Sequence, residues 1–255
     1  MMGIFDSHAH YDDSRFSDDG FSLLEQLFTS GSVSGIINVA CDKKSCYTSK
    51  ILADAFPFVY YASGVHPHAA SEWDDETEEL IRTQLQEKKC VALGEIGLDY
   101  HYDFSPREKQ KEVFERQLQI AKELDVPVIL HSREACEDTM QLLRKYRPSG
   151  VMHCFSYSPE IAKEVCDLGL YVGLNGCVTF KNAKKPKASA VVIPEDRLLI
   201  ETDCPYMAPE PHRGVRCDSS LLPFVVTELA RLRQTDEALL IAQTEENAKR
   251  LFRIS

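Results

Sequence analysis

Cys90-Val91-Ala92-Leu93-Gly94-Glu95-Ile96-Gly97-Leu98-Asp99 is an apolar stretch broken by two carboxylates. Its first seven residues predict a buried strand, since a short apolar run bounded by glycine is what a parallel sheet needs. Glu95, near the end of that strand, is costly to bury unless something compensates its charge. An arginine would serve. A metal ion suits the strand-end position better.

Seven more runs of the same kind flank this one: Ile4 to His10, Gly35 to Ala40, Val59 to His66, Val126 to His131, Gly150 to Cys154, Leu170 to Asn175 and Leu198 to Asp203. Stretches of helical period separate them, which implies βαβ units and a parallel sheet. Ser105-Pro106 predicts a helix start, with Phe114, Leu118, Ala121 and Leu124 on its packed face. Ser158-Pro159-Glu160 predicts another, stopped at Gly169, and Thr235 to Phe252 a closing helix. An open doubly wound sheet and a closed barrel both fit this alternation. The polar residues decide between them. Six of the eight runs end at or near a His, Glu or Asp, and only a barrel brings those ends to one mouth. The expected fold is one α/β domain over residues 1–255, a (β/α)₈ TIM-type barrel. The chain's 255 residues suit it.

Composition narrows the function. A net charge of −11 argues against a basic sleeve that grips nucleic acid by bulk electrostatics. Bound divalent cations would reverse that sign locally. Nine scattered cysteines without a CxxC pair read as buried thiols in a reducing compartment. No apolar run is long enough to span a bilayer, and the start Met1-Met2-Gly3-Ile4-Phe5-Asp6-Ser7-His8 lacks a secretory pattern. A cytoplasmic protein, monomeric and without a membrane partner, is expected.

The polar strand ends carry the chemistry. His8 and His10 are two apart on a strand, so both imidazoles point to one face. His131, His153 and Asp203 end three other strands, and Pro205 stops the last one. Each histidine alone is more often a core or capping residue. Together with Glu95 they make four imidazoles and two carboxylates, more than one catalytic ion takes. Two ions fit, with Glu95 as the bridge between them, since no lysine lies in that run.

His8-Ala9-His10, Gly64-Val65-His66-Pro67, Gly94-Glu95-Ile96-Gly97-Leu98-Asp99-Tyr100, His131-Ser132-Arg133, His153-Cys154-Phe155-Ser156 and Glu201-Thr202-Asp203-Cys204-Pro205-Tyr206 together resemble the TatD family of metal-dependent deoxyribonucleases. The resemblance runs from the first strand to the last helix. It implies a barrel of the amidohydrolase superfamily with one metal on His8, His10, Glu95 and Asp203 and a second on Glu95, His131 and His153. It implies DNA ends as substrate and phosphodiester hydrolysis from the 3′ end. The expected mechanism uses two divalent ions (Mg, Mn or Zn), with Asp203 as base and Glu95 as bridge. The rival readings are an ester or amide hydrolase, such as an aminoacyl-tRNA deacylase, and a non-catalytic metal-binding protein.

Around the mouth, His66, Arg133 and Arg213 are the expected substrate contacts, with a salt bridge to Glu134 or Glu137 as the other use for Arg133. Arg213 matches the family's loop arginine, but Val215 and Asp218 replace a basic residue and an asparagine of the family's pattern. His101 stands where the family commonly has a second tyrosine, and is expected to line the mouth. His68 is expected in solvent. Glu201 is expected behind the ligands, with a third metal there left open. Phe155, Tyr157 and Phe180 are expected to pack under loops, with base stacking as the alternative. Trp73 is expected to pack at a helix start.

Overall fold

The computed structural model describes residues 3–254. Its strands are β1 (Ile4–Ala9), β2 (Val33–Val39), β3 (Val59–Ser63), β4 (Cys90–Asp99), β5 (Val128–Arg133), β6 (Gly150–Met152), β7 (Tyr171–Leu174) and β8 (Leu198–Ile200). They hydrogen-bond in chain order, and every neighbouring pair is parallel. The exit of β8 is stitched back to β1: Asp203 N donates to His8 O at 2.9 Å and His10 N to Cys204 O at 2.8 Å. The sheet thereby comes round into a (β/α)₈ barrel. Helices α1 (Gly20–Thr29), α2 (Lys43–Ala55), α3 (Asp75–Gln84), α4 (Arg107–Leu124), α5 (Cys136–Tyr146), α6 (Pro159–Asp167) and α7 (Lys184–Val192) each follow one strand. Two, α8 (Leu222–Arg233) and α9 (Glu237–Phe252), follow β8.

The core has two parts. The larger lies between strands and helices, where Ile36, Leu93, Leu118, Val172 and Leu229 are among its buried members. The smaller takes residues from every strand: Phe5, Ile37, Ala62, Ala92, Ile129, Val151, Tyr171 and Leu199. A cluster fed by all eight strands fills the inside of the barrel. Ala248, Leu251 and Phe252 of α9 join it, so α9 stops one end and polar chemistry is confined to the other.

Several boundaries differ from the sequence expectation, for local reasons. β3 stops at Ser63, short of His66, because the Gln117 side chain takes both the N–H and the carbonyl of Val65, at 2.8 and 3.0 Å, in place of a neighbouring strand. β6 and β8 stop before His153 and Asp203 because Cys154 and Asp203 adopt φ of +44° and +62°. Non-glycine residues adopt that left-handed region only under constraint, and such positions gather at active sites. β4 instead runs past Ile96 to Asp99, paired with β5 through Asp99 and Arg133. Gly97 permits this: its φ is +149°, and a Cβ there would lie 1.9 Å from His131 O. Ser105 does not cap α4. Its hydroxyl donates to His68 O and accepts from Ser71 N, and the helix starts at Arg107. The closing helix starts at Glu237, not Thr235, because the Asp236 carboxylate caps Ala238 N and Leu239 N. Ser158 and Gly169 flank α6 as expected, and all nine cysteines are free.

Candidate metal centre

The polar strand ends meet at the barrel's C-terminal mouth, around Glu95. The two oxygens of that carboxylate face different partners. Oε2 lies 3.5 Å from His8 Nε2 and 3.8 Å from His10 Nε2. Asp203 Oδ1 closes that side, 3.9 Å from His8 Nε2 and 3.5 Å from His10 Nε2. Oε1 lies 2.8 Å from His131 Nδ1, 2.6 Å from His153 Nε2 and 3.7 Å from His66 Nε2. Glu95, His8, His66 and His153 are all buried.

Among the described residues no lysine or arginine pairs with Glu95, Asp99, Asp203 or Glu201; the basic side chains facing them are all imidazoles. The arginine salt bridge weighed for Glu95 is therefore absent there. Burial alone would push the Glu95 carboxyl up, but His153 and the hydrogen bond with His131 hold it well below the usual carboxylate range. Asp203 is likewise held down against its burial, by His10 and His153. Buried, ionised carboxylates among imidazoles form a donor set that fits divalent cations.

The second nitrogen of each ring decides which rings can be ligands. His10 Nδ1 lies 2.8 Å from Val39 O, a pure acceptor, so Nδ1 carries a proton and Nε2 is the nitrogen turned to the centre, where a metal would take it. His131 Nε2 lies 3.2 Å from Asp99 Oδ2, so Nδ1 is the nitrogen that faces Glu95 and that a metal would take. His153 Nδ1 lies 3.5 Å from Glu201 Oε1, which leaves Nε2 for the centre. Outer partners of this kind orient metal-binding histidines. His66 is the reverse. Its Nδ1 accepts the backbone N–H of His68 at 3.1 Å, so the neutral ring has its proton on Nε2. Burial and then His131 keep its pKa well below normal, so that neutral form persists. His66, Glu95 and His131 bring donor atoms within 4.8 Å of one another, as do His8, His10 and Glu95. The tautomer makes His66 a hydrogen-bond donor in its group.

His8, His153 and Glu201 form a third such group. Glu201 is fully buried, and its Oε1 accepts Cys154 N at 2.6 Å. His8 Nδ1, His153 Nδ1 and Glu201 Oε2 have no hydrogen-bond partner. Gly173 makes room for this carboxylate, since a Cβ there would lie 2.3 Å from Oε2.

The sequence reading missed Asp99 as a working residue, and it placed His68 in solvent. Instead Asp99 Oδ2 accepts from His68 Nε2 at 2.9 Å as well as from His131. The sequence signal was available: Asp99 is the second carboxylate of the β4 run. Arg133 forms no ion pair with Glu134 or Glu137; its guanidinium lies 4.8 Å over the Tyr102 ring. Glu134 pairs with His101 at 2.7 Å. Arg213 lies 4.4 Å over Phe180. Phe155 is buried, the Tyr157 hydroxyl meets Ser132 Oγ at 2.8 Å, and Trp73 packs on the core just before the Asp74 cap of α3.

A parallel barrel with a histidine–carboxylate cluster at its C-terminal mouth defines the class of metal-dependent barrel hydrolases. Within it, this chain belongs to the TatD family: the family model described as TatD related DNase matches residues 5–253. It is 40% identical to the uncharacterized metal-dependent hydrolase YabD of Bacillus subtilis, over 99% of this chain and all of that one. It is 34% identical to the 3′-5′ ssDNA/RNA exonuclease TatD of Escherichia fergusonii, over 99% of this chain and all of that one. The crystal structure of YjjV, a TatD homologue from Escherichia coli K12, superposes with a TM-score of 0.92 at 30% identity, covering 99% of this chain and 98% of that one. The chain is a metal-dependent hydrolase acting on ester bonds. No helix of the described residues is long and apolar enough to cross a membrane.

Proposed function

We propose that this enzyme trims single-stranded DNA from the 3′ end by phosphodiester hydrolysis with two divalent ions, Mg, Mn or Zn. The observation that carries the reading is the division of Glu95: one oxygen toward His8, His10 and Asp203, the other toward His131 and His153. Those two sets, joined by Glu95, would hold the two ions. When bound, such a pair clamps the attacking and leaving oxygens of an in-line displacement.

The chain's own groups supply the rest. Asp203 spends Oδ1 on His8 and His10, which leaves Oδ2 to take the proton of the attacking water. As the water oxygen bonds to phosphorus, the bond to the 3′ oxygen of the remaining strand breaks; that oxygen takes a proton from water to become the new 3′ hydroxyl, and the terminal nucleotide departs with the phosphate. His66 donates from Nε2 to a phosphate oxygen. Asp99 holds the His131 ring by a hydrogen bond, and the Glu201 carboxylate stands 3.5 Å behind the His153 ring. Arg133 and Arg213 sit at the rim, where a planar guanidinium can take two phosphate oxygens. The acidic surface repels a long polyanion everywhere else, which favours a short free end over a tract lying across the protein.

The test has two arms. Elemental analysis should find His8→Ala and His131→Ala each short of one ion and Glu95→Ala short of both. A time course on end-labelled single-stranded, duplex and closed circular DNA, beside an aminoacyl-tRNA, reads the substrate. Shortening from the 3′ end of single strands is expected. Equal cutting of circles would overturn end trimming, and cleavage of the aminoacyl ester alone would move the enzyme to carbonyl chemistry.

A further inference from the structure

Two aromatic rings stand in solvent beside the metal centre with no role so far. Tyr102 is 48% exposed and Phe104 68% exposed. Both lie on the segment between β4 and α4, at the mouth. The rings stack on each other at 5.3 Å between centroids and 18° between planes. His68 braces both edge-on, at 5.4 Å and 4.8 Å. The same His68 hydrogen-bonds Asp99, which hydrogen-bonds His131. The exposed rings are thus tied to the donor cluster through two hydrogen bonds and one shared carboxylate. Arg133 completes the group with its guanidinium over Tyr102, and it pairs with no carboxylate among the described residues.

We propose that Tyr102, Phe104 and Arg133 form a stacking platform for an unpaired nucleobase of the strand being cut. The proposal rests on the nuclease reading above and names how that site holds its substrate. A flat pair of exposed rings offers a π-face that any base can cover, whatever its hydrogen-bonding edge. Arg133 adds an unneutralised positive charge for the phosphate of the same nucleotide, on a chain whose net charge is −11. A base in a duplex is already stacked and paired, so the platform selects frayed or single-stranded ends. Sequence preference should be weak.

The experiment uses the metal-loaded full chain and single-stranded oligonucleotides that end either in a normal base or in an abasic residue. Wild type should show a KM for the abasic end at least about fivefold higher, the low end of what stacking one base contributes. In Tyr102→Ala/Phe104→Ala that ratio should fall to near one, and Tyr102→Trp should restore it in part. A terminal 2-aminopurine should be quenched on binding to wild type and not to the double variant. Equal KM for both ends in wild type would overturn the platform while leaving the nuclease reading intact. Absence of cleavage on any oligonucleotide, with turnover of an aminoacyl ester, would overturn both.

Discussion

Asp99 Oδ2 lies 3.2 Å from His131 Nε2, on the far side of the ring from the nitrogen that meets Glu95. The other oxygen of Asp99 is occupied by the backbone N–H groups of His101 and Tyr102. All four acceptor contacts are to donors, so an amide cannot replace the carboxylate without turning its NH₂ against one of them. Asp99→Asn should therefore free the His131 ring and lower the affinity for a metal held by that ring by about 10–100-fold. Titration calorimetry with Zn²⁺ or Mn²⁺ reads this directly. An unchanged metal affinity would show that Asp99 does not orient His131.

Asp203 should matter more to rate than to folding. Its backbone is held by the bond from its N–H to His8 O whatever the side chain. Asparagine keeps the shape but takes no proton. Asp203→Asn should lower turnover by about 10²–10⁴ with a melting temperature close to wild type. Near wild-type turnover at saturating metal would remove the base role.

Much of this was legible in the chain. Every strand was found from its apolar run, because parallel barrel strands are buried on both faces and so read as continuous. The polar residue ending a run marked the mouth, and Glu95, His131, His153 and Asp203 do converge there. What sequence could not give was the second nitrogen of each ring. Whether His66 accepts or donates depends on where His68 N falls after Pro67, and periodicity carries no such information. His68 was misplaced for a related reason: its partner Asp99 lies 31 residues away, on the next strand. The exposed rings of Tyr102 and Phe104 lie in a loop, where no repeat distinguishes a platform from a solvated turn.

Gly97 ties the fold to the site. Its φ of +149° strains any L side chain, and an added Cβ would lie 1.9 Å from His131 O, a backbone atom that cannot swing away. Gly97→Ala should cost about 3 kcal/mol or more, above the usual range for a surface change. Urea unfolding measures it. A midpoint within experimental error of wild type would mean that β4 and β5 can separate there without loss.

Away from the mouth, Glu78 on α3 joins Arg116 on α4 at 2.5 Å and Arg82 at 2.9 Å. The hydrogen bond from Arg116, against some burial, holds its carboxyl below the usual range. A carboxyl depressed in the folded state contributes stability above its unfolded value and loses it as pH falls through the folded one. Glu78→Gln should thus cost up to about 1 kcal/mol at neutral pH, as a partly exposed pair allows. The gap to wild type should narrow steadily below about pH 4. A difference that stays constant from pH 7 to pH 3 would assign the loss to packing, not charge.

The phosphate contact proposed for Arg213 can be tested directly. It is exposed, its guanidinium rests 4.4 Å over Phe180, and no carboxylate among the described residues pairs with it. An arginine laid flat on a ring is held in place with its N–H fork still open, which suits a phosphate. The neighbouring Arg216 is not available in the same way, since it is bound to Asp19 at 2.7 Å. Arg213→Ala should raise KM for oligonucleotides about tenfold with kcat nearly kept, the pattern of lost uniform binding. Metal content should not change, because the proposed partner is a phosphate and not an ion. The slope of log affinity against log salt should also become shallower by about 0.7 for a single strand, one phosphate contact fewer. Arg213→Lys should recover the salt slope, which needs only a charge, but not all of the KM, which needs the fork. If Arg213→Ala left both KM and the salt slope unchanged, the phosphate would have to be held by Arg133 and His66 alone.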